Sequence, residues 1–190
     1  MASALNVPNA LTMARICLAP VLALLLLERD QTAAAVAVFA IAMASDVVDG
    51  HLARSRGLVT TFGKLMDPLA DKLVVGAAFV CLAAIDRVEP WVVAVILSRE
   101  AAVTGLRMLA KRNGLVISAN SLGKAKTTLQ TVCILALVLA TDPSAAWVEL
   151  IVFATVLITI ASGVVYAYRY LAYRRGGEVG GAGPASDSIS

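Results

Sequence analysis

Four aspartates within a short stretch are the residues best suited to chemistry in this chain. They are Asp46, Asp49, Asp67 and Asp71, and apolar runs lead into the first pair and away from the second. Because helix positions three and four apart share a face, each pair would line one side of a hydrophobic helix. If the two helices fold back on each other, unpaired carboxylates would repel and take up protons, and hard divalent cations are their natural counter-charge. The spacing therefore predicts an oxygen-ligated metal site.

Small residues accompany the first pair of acids. Gly50 and Ala53 fall on the same helical face as Asp46 and Asp49, so a substrate can approach the backbone there. Metal and phosphate chemistry would use such a surface. The alternative is a set of structural acids paired with Arg54, Lys64 and Lys72, but that interpretation explains neither the small residues nor the spacing.

The elements that must position these acids are membrane helices. The chain has 190 residues, of which 59% are hydrophobic and 15% charged, and its mean hydropathy is +0.84. Soluble domains carry about 25% charged residues. We therefore predict an all-α, polytopic membrane protein with one domain over residues 1–175. Residues 176–190 are rich in Gly and Ser and are predicted to be a disordered cytoplasmic tail.

Six apolar segments approach or exceed the roughly 20 residues that a bilayer core requires. The predicted spans are residues 9–28, 32–54, 64–84, 90–110, 122–140 and 147–170. The first of them crosses the membrane if Arg15 extends to the surface. Pro90 suits the start of the fourth.

The basic residues predict the orientation of these spans. They concentrate in two connections and after the last span, whereas the opposite side has only Arg29 and Arg87, each next to an acid. The concentrated residues are Arg54, Arg56, Lys64, Lys111, Arg112, Lys124, Lys126, Arg169, Arg174 and Arg175. The positive-inside rule then places both termini in the cytoplasm. We expect a multi-pass protein of the plasma or inner membrane whose acidic stretch opens on the cytoplasmic side.

Aromatic and cysteine residues are assigned structural positions. Six aromatics fall at the predicted membrane interfaces, as aromatic belts do: Trp91, Trp147, Tyr166, Tyr168, Tyr170 and Tyr173. Three scattered cysteines without a CxxC pair indicate neither a disulfide framework nor a zinc site. We predict that Cys17, Cys81 and Cys133 are small core residues.

A second polar group lies on the fourth span. Its members share one narrow stripe of a helix: Glu100, Thr104, Arg107 and Lys111. Charged residues this deep usually face a cavity or each other. The alternative is a structural Glu100–Arg pair with basic residues that extend to the surface. The fifth span opens with Lys124 and Lys126, and the start of a helix favours a phosphate.

The stretch from Asp46 to Asp71 resembles the signature of the CDP-alcohol phosphotransferase family, Asp-x2-Asp-Gly-x2-Ala-Arg-x8-Gly-x3-Asp-x3-Asp, and matches every fixed position. Three further stretches, "NVPNALTMAR", "RE..V.GLR" and "GKAKT..Q", are similar to the bacterial branch that uses sn-glycerol 3-phosphate. The resemblance covers about Asn6 to Gln130 and the hydrophobic profile beyond. It implies transfer of a phosphatidyl group from CDP-diacylglycerol to that alcohol, with release of CMP.

The resemblance also suggests residue roles. Two Mg²⁺ ions, or Mn²⁺, are expected on the four aspartates, with Asp46 and Asp67 bridging both ions, Asp49 completing one site and Asp71 the other. By family analogy, Asp71 also takes the proton from the acceptor hydroxyl. The residues expected to hold the cytidine diphosphate are Gly50, Arg54, Thr60 and Gly63, with polar contacts from Asn9 and Thr12. The pocket for the acceptor phosphate is expected to contain Arg107, Lys111, Lys124 and Lys126.

Other functions compete with this interpretation. The same fold could use inositol phosphate, or a second phospholipid as in a cardiolipin synthase of the family. A divalent-cation transporter would use the acids as an ion path, but here they cluster at one membrane face and the glycines would have no role. A non-enzymatic lipid scaffold is a further alternative. The expected partners are the two substrates, the bilayer and a second copy of the chain, since the family forms homodimers; nucleic acid is not expected.

Overall fold

The protein folds into α-helices throughout the part that the computed structural model describes, which is residues 7–28, 31–56, 61–112 and 121–174. These ranges contain six helices and no strand. The helices are α1 Val7–Leu27, α2 Thr32–Arg56, α3 Thr61–Ala84, α4 Pro90–Arg112, α5 Ser121–Leu139 and α6 Ala146–Arg174. The all-α prediction is confirmed, and each helix lies close to one of the predicted segments.

The chain divides into two compact units. The first consists of Met1–Val93 with Ile134–Ala145, and the second of Ala94–Cys133 with Ala146–Ser190. The first unit therefore holds α1 to α3, and the second holds α6 with most of α4 and the first part of α5. The predicted single family domain stays a prediction, and the tail 176–190 lies outside the described residues.

In the first unit, α1 packs along both α2 and α3. The buried positions of α1 are Arg15, Ala19, Leu22 and Leu26, which recur every three or four residues and so form one stripe. The side chain of Arg15 is only 1% exposed. The expectation that Arg15 extends to the surface is therefore wrong, because the residue lies in phase with the apolar stripe that faces the protein interior.

A left-handed residue ends α3. Asp86 has a φ of 59°, and two backbone bonds complete the turn: Arg87 N–H to the Leu82 carbonyl at 2.8 Å and Asp86 N–H to the Ala83 carbonyl at 3.1 Å. This is the hydrogen-bond pattern of a Schellman motif, with Asp where glycine is usual. The chain then turns and begins α4 at Pro90, which suits a first helical position.

Arg87 also ties the end of α3 to the end of α5. Its guanidinium donates from Nη1 to the carbonyl oxygens of Leu137 and Ala140. The last carbonyls of a helix have no partner within the helix, and a cation there also suits the helix dipole. The guanidinium of Arg87 is thus bonded to carbonyl oxygens, and its position does not depend on the acid next to it in the sequence.

In the second unit, α6 buries polar residues and exposes apolar ones. Its buried stripe runs through Thr155, Thr159, Ser162, Tyr166 and Tyr170. Its exposed stripe runs through Leu150, Phe153, Leu157, Ile160 and Val164. Tyr166 and Tyr170 are 5% and 8% exposed because both continue the buried stripe, whereas Trp91, Trp147 and Tyr168 are exposed. The side chain of Tyr173 lies outside the described residues, and the position of these aromatics at a membrane interface stays a prediction.

One helix in the described part of the chain is long and apolar enough to cross a membrane by length and composition. It covers Ala146–Ala172, and its most apolar 18-residue window has a mean hydropathy of 2.4. Four shorter apolar segments occur at Met13–Leu27, Thr32–Ser45, Lys72–Ala84 and Ala125–Leu139. They lie within α1, α2, α3 and α5.

The three cysteines are unpaired and do not all share one environment. Cys81 and Cys133 are buried, as predicted, whereas Cys17 is exposed. The prediction of a core position is thus wrong for Cys17, because that residue lies off the buried stripe of α1.

Candidate functional site

The acidic stretch lies on α2 and α3. Asp46 and Asp49 belong to α2, and Asp67 and Asp71 belong to α3, so each pair lies on a helix at the spacing that places its members on one face. The four side chains lie outside the described residues. Among the side chains that are described, no group of three or more His, Cys, Asp or Glu could hold a metal ion.

The other residues expected around the nucleotide are also carried by helices. Asn9 and Thr12 belong to α1, Gly50 and Arg54 to α2, and Gly63 to α3. Their side-chain environments, and Thr60 as a whole, lie outside the described residues. The metal and nucleotide assignments therefore stay predictions.

Four charged residues of the second unit, which we call the basic cluster, are Arg99, Glu100 and Arg107 of α4 and Lys126 of α5. Arg99 and Lys126 both bond to Glu100, whereas Arg107 bonds to Tyr166 of α6. Glu100 lies at the centre of this cluster. The Oε1 atom of Glu100 accepts from Arg99 Nη1 at 2.9 Å and also from Lys126 Nζ. All three side chains are largely buried, with 12%, 18% and 8% of Arg99, Glu100 and Lys126 exposed. Removing one partner of a buried ion pair leaves an uncompensated charge, so these residues depend on each other.

Helix α6 supports Arg99 from the opposite direction. The Nη2 atom of Arg99 donates to Ser162 Oγ at 2.8 Å, and the Ser162 hydroxyl in turn donates to the Thr159 carbonyl at 2.9 Å. The stem of Arg99 crosses Gly163 so closely that a Cβ atom at this position would lie 3.1 Å from Arg99 Cγ. The guanidinium thus links the carboxylate on α4 to a hydroxyl on α6.

Arg107 is held by Tyr166, one turn further along α6. Its Nε donates to the Tyr166 hydroxyl at 3.0 Å, and its guanidinium carbon lies 4.9 Å from the centre of the tyrosine ring. A cation over an aromatic face is attracted by the negative face of the ring. Because the hydrogen bond uses Nε, it does not occupy the Nη groups that form the fork with which arginine binds phosphate oxygens.

The contacts of this cluster bear on both interpretations of the fourth span, the acceptor pocket and the structural Glu100–Arg pair. A Glu100–Arg pair exists, as the structural alternative expects, but its partner is the adjacent Arg99. Thr104 donates to the Glu100 backbone carbonyl at 2.6 Å. Of the four residues expected in the acceptor pocket, Lys126 bonds to Glu100 and Arg107 bonds to Tyr166. The side chains of Lys111 and Lys124 lie outside the described residues.

Four participants were missed by the sequence analysis. Arg99 was given no role, Tyr166 was assigned to a membrane interface, and Ser162 and Gly163 were not considered. A signal was present, because Thr155, Thr159, Ser162 and Tyr166 recur every three or four residues in an otherwise apolar helix. Such a polar stripe in a hydrophobic helix indicates the side that faces other helices.

Besides Nε of Arg99 itself, two atoms near these residues have no hydrogen-bond partner in the described part of the chain. They are Nε2 of Gln130, one turn after Lys126 on α5, and Oγ1 of Thr159, one turn before Ser162 on α6. Both residues are buried, at 2% and 0% exposed. The second unit therefore buries polar atoms that form no hydrogen bond within the described residues.

Comparison with known proteins supplies the family. A sequence model of the CDP-alcohol phosphatidyltransferase family matches residues 5–179, which is nearly the whole chain. The chain belongs to the CDP-alcohol phosphatidyltransferase family. The predicted family is thereby confirmed, and membership in this transferase family argues against the cation transporter and the non-enzymatic scaffold.

Individual members of the CDP-alcohol phosphatidyltransferase family are similar over most of their length. The CDP-diacylglycerol–glycerol-3-phosphate 3-phosphatidyltransferase of Bacillus subtilis is 41% identical over 179 residues, which cover 85% of this chain and 93% of that protein. A probable phosphatidylglycerophosphate synthase of Mycobacterium tuberculosis is 40% identical, with 87% and 82% covered. A protein of Rickettsia typhi with the same name as the Bacillus relative is 36% identical, with 85% and 94% covered.

Proposed function

We propose that this protein transfers the phosphatidyl group of CDP-diacylglycerol to sn-glycerol 3-phosphate and thereby forms phosphatidylglycerophosphate and CMP. The observation that carries this conclusion is the family match over residues 5–179, together with relatives named for this reaction that are similar along most of both chains. The complete acidic signature between Asp46 and Asp71 agrees with it. The protein is thus an enzyme of phospholipid biosynthesis.

The acids of α2 and α3 are proposed to hold two Mg²⁺ ions, or Mn²⁺. The donor set fits these ions, since Asp46, Asp49, Asp67 and Asp71 offer only carboxylate oxygens, the ligands that hard divalent cations prefer. When bound, such ions stabilise charge on the attacking and leaving oxygens of a displacement at phosphorus. Asp71 is proposed to accept the proton of the acceptor hydroxyl. Asn9, Thr12, Gly50, Arg54, Thr60 and Gly63 are the proposed contacts of the cytidine diphosphate.

The basic cluster is proposed to bind the phosphate of the acceptor. Arg99 and Lys126 share the single carboxylate of Glu100, and Arg107 bonds to the neutral hydroxyl of Tyr166, so these residues together carry an excess of positive charge. Lys111 and Lys124 are proposed to add to it. An alcohol without a phosphate would not gain from this positive charge, which would make glycerol itself a poor acceptor.

We further propose that six helices span the plasma or inner membrane, with both termini and the acidic stretch on the cytoplasmic side. The character of α6 supports this, because only 28% of its most apolar window is buried, unlike the core helix of a soluble protein. Exposed hydroxyls also bond within their own helices: Ser98 to the Val95 carbonyl, Thr127 to Gly123 and Thr131 to Thr127. Hydroxyls in lipid must find partners in the protein, since no water is available. A homodimer, expected from the family, remains part of the proposal.

An assay of the purified full-length protein with a panel of alcohols tests the proposed function. The protein is incubated with CDP-diacylglycerol, Mg²⁺ and one acceptor at a time, namely sn-glycerol 3-phosphate, glycerol, inositol phosphate or phosphatidylglycerol, and CMP release is measured. We expect fast release with sn-glycerol 3-phosphate only, loss of release with EDTA, and recovery on addition of Mg²⁺ or Mn²⁺. A preference for inositol phosphate would overturn the proposed acceptor, and full turnover in EDTA would overturn the metal assignment.

A further inference from the structure

Glu100 is an unexpected residue in a network that is proposed to attract an anion. Its carboxylate carries the wrong charge for a phosphate, and it lies in direct contact with Lys126, one of the proposed phosphate-binding residues. At short range a like charge weakens the binding of an anion. A carboxylate at this position must therefore favour binding of the phosphate in some other way that offsets this loss of affinity.

The contacts of Glu100 indicate what it contributes. The side chain of Lys126 is long and flexible, and its ammonium group has no directional preference of its own. The bond from Nζ to Glu100 Oε1 fixes this group against α4, although the lysine belongs to α5.

The carboxylate is itself held in place from α6. Arg99 uses one terminal nitrogen for Glu100 Oε1 and the other for Ser162 Oγ, and its stem lies against Gly163. The planar guanidinium fixes both bonds in one geometry. A continuous series of contacts thus runs from Ser162 and Gly163 through Arg99 and Glu100 to Lys126.

We propose that Glu100 is a positioning residue for the acceptor phosphate: it holds Lys126 where the phosphate binds, and α6 holds Glu100 through Arg99. This inference rests on the proposed function, because it assigns a role in binding the same acceptor. Arg107 is the parallel case, since Tyr166 of α6 holds it by Nε. In both cases α6 supplies the support, and α4 and α5 supply the cations.

The variants Glu100→Gln, Lys126→Gln and the double variant test the proposal in the full-length protein. Hydrogen bonds to charged groups are strong enough that Lys126→Gln should raise the KM for sn-glycerol 3-phosphate by about 10- to 100-fold. Glu100→Gln should raise it by about 10-fold, since a neutral amide holds the ammonium less firmly. The kcat and the KM for CDP-diacylglycerol should change little. Isothermal titration calorimetry should show the same weakening of sn-glycerol 3-phosphate binding.

The double variant separates positioning from general support of the fold. If Glu100 acts through Lys126, the double variant should be no worse than Lys126→Gln alone, because residues in one network are not additive. Multiplied effects, or equal losses toward both substrates, would overturn the proposal. So would a Glu100→Gln variant whose KM and calorimetric affinity equal those of the wild type.

A pair of glycine variants tests the same series of contacts without changing a charge, and decides the matter if Glu100→Gln does not fold. Gly163→Ala introduces a Cβ that Arg99 must move to accommodate, whereas Gly105→Ala on α4 introduces one into open space. Gly163→Ala should raise the KM for sn-glycerol 3-phosphate, by less than Glu100→Gln, and Gly105→Ala should leave it unchanged. Equal KM values for the two variants would overturn the support from α6.

Failure of this inference can be told apart from failure of the proposed function. A wild-type protein that uses sn-glycerol 3-phosphate, with a Glu100→Gln variant that binds it equally well, would remove only the role of Glu100. If the wild type preferred another phosphorylated alcohol, the proposed acceptor would fall. The role of Glu100 would then be decided by the same KM comparison with that alcohol.

Discussion

Helices α3 and α6 are both apolar, yet they bury opposite kinds of surface. The buried stripe of α3 contains Ala70, Val74, Ala78 and Leu82, and the charged residues of the helix, Lys64, Asp67, Asp71 and Lys72, are confined to its first half. The buried stripe of α6 is polar over four turns, and its apolar residues face outward. An apolar stripe can shift along its neighbours at modest cost, whereas a polar stripe is satisfied only where its specific partners meet it. The difference suggests that α3 supplies reactive groups from one end, and that α6 acts along its length as a support.

The largest expected effect concerns the polar part of α3. Asp71→Asn preserves size and one possible ligand oxygen but removes the charge and the basicity. A positioned general base contributes about 10²- to 10⁴-fold to a rate, so CMP release at saturating substrate should fall by about that factor. Binding of CDP-diacylglycerol, measured separately at equilibrium, should largely survive. Near-normal turnover would show that α3 does not supply the base.

An intermediate effect is expected from the support that α6 gives to Arg107. Tyr166→Phe removes the hydroxyl that accepts from Arg107 Nε and keeps the ring beneath the guanidinium. Loss of one hydrogen bond to a charged group should raise the KM for sn-glycerol 3-phosphate by about 10-fold. Tyr168→Phe on the same helix is the matched control, since Tyr168 is 70% exposed, and it should behave as the wild type. If both variants have the same KM, the buried stripe of α6 has no part in binding the acceptor.

The smallest effect is expected when a hydroxyl is removed from the buried stripe of α6 or added to the buried stripe of α3. Thr159→Val on α6 removes a buried hydroxyl that makes no hydrogen bond within the described residues, so it should leave stability unchanged or raise it by less than about 1 kcal/mol. Val74→Thr on α3 introduces a hydroxyl into an apolar stripe and should lower stability by about 1 kcal/mol. Thermal unfolding in one detergent would compare the two variants. A destabilised Thr159→Val protein would indicate that this hydroxyl has a partner after all.

The helices were predictable from the sequence because long apolar runs leave few alternatives to a helix. The face that each helix buries was less predictable. Arg15 and Tyr166 were both assigned to the membrane surface from their distance along a helix, but both lie on a buried stripe. Distance from a helix end predicts depth in a membrane, whereas the choice between inside and outside depends on the neighbour that packs there.

The candidate site was predictable to a different extent in its two parts. The spacing of the aspartates identified the family, because their chemistry requires those residue types at those intervals. The assignment of Arg107 and Lys126 to the acceptor pocket stays a prediction, and the partners that hold them were not predicted. The partner of Lys126 is a glutamate on another helix, 26 positions away in sequence, and no helical periodicity within one segment can specify such a pair.

Ser162 and Gly163 belong to α6, which follows α4 and α5 in the sequence, and this order has a consequence for biosynthesis. A ribosome delivers α4 and α5, with Arg99, Glu100 and Lys126, before it delivers the helix that holds Arg99 in place. A single charge at the centre of an isolated membrane helix costs about 2.5 to 3.5 kcal/mol during insertion. These charges therefore gain their full set of partners only after α6 has been made, and the second unit reaches its final structure no earlier than that.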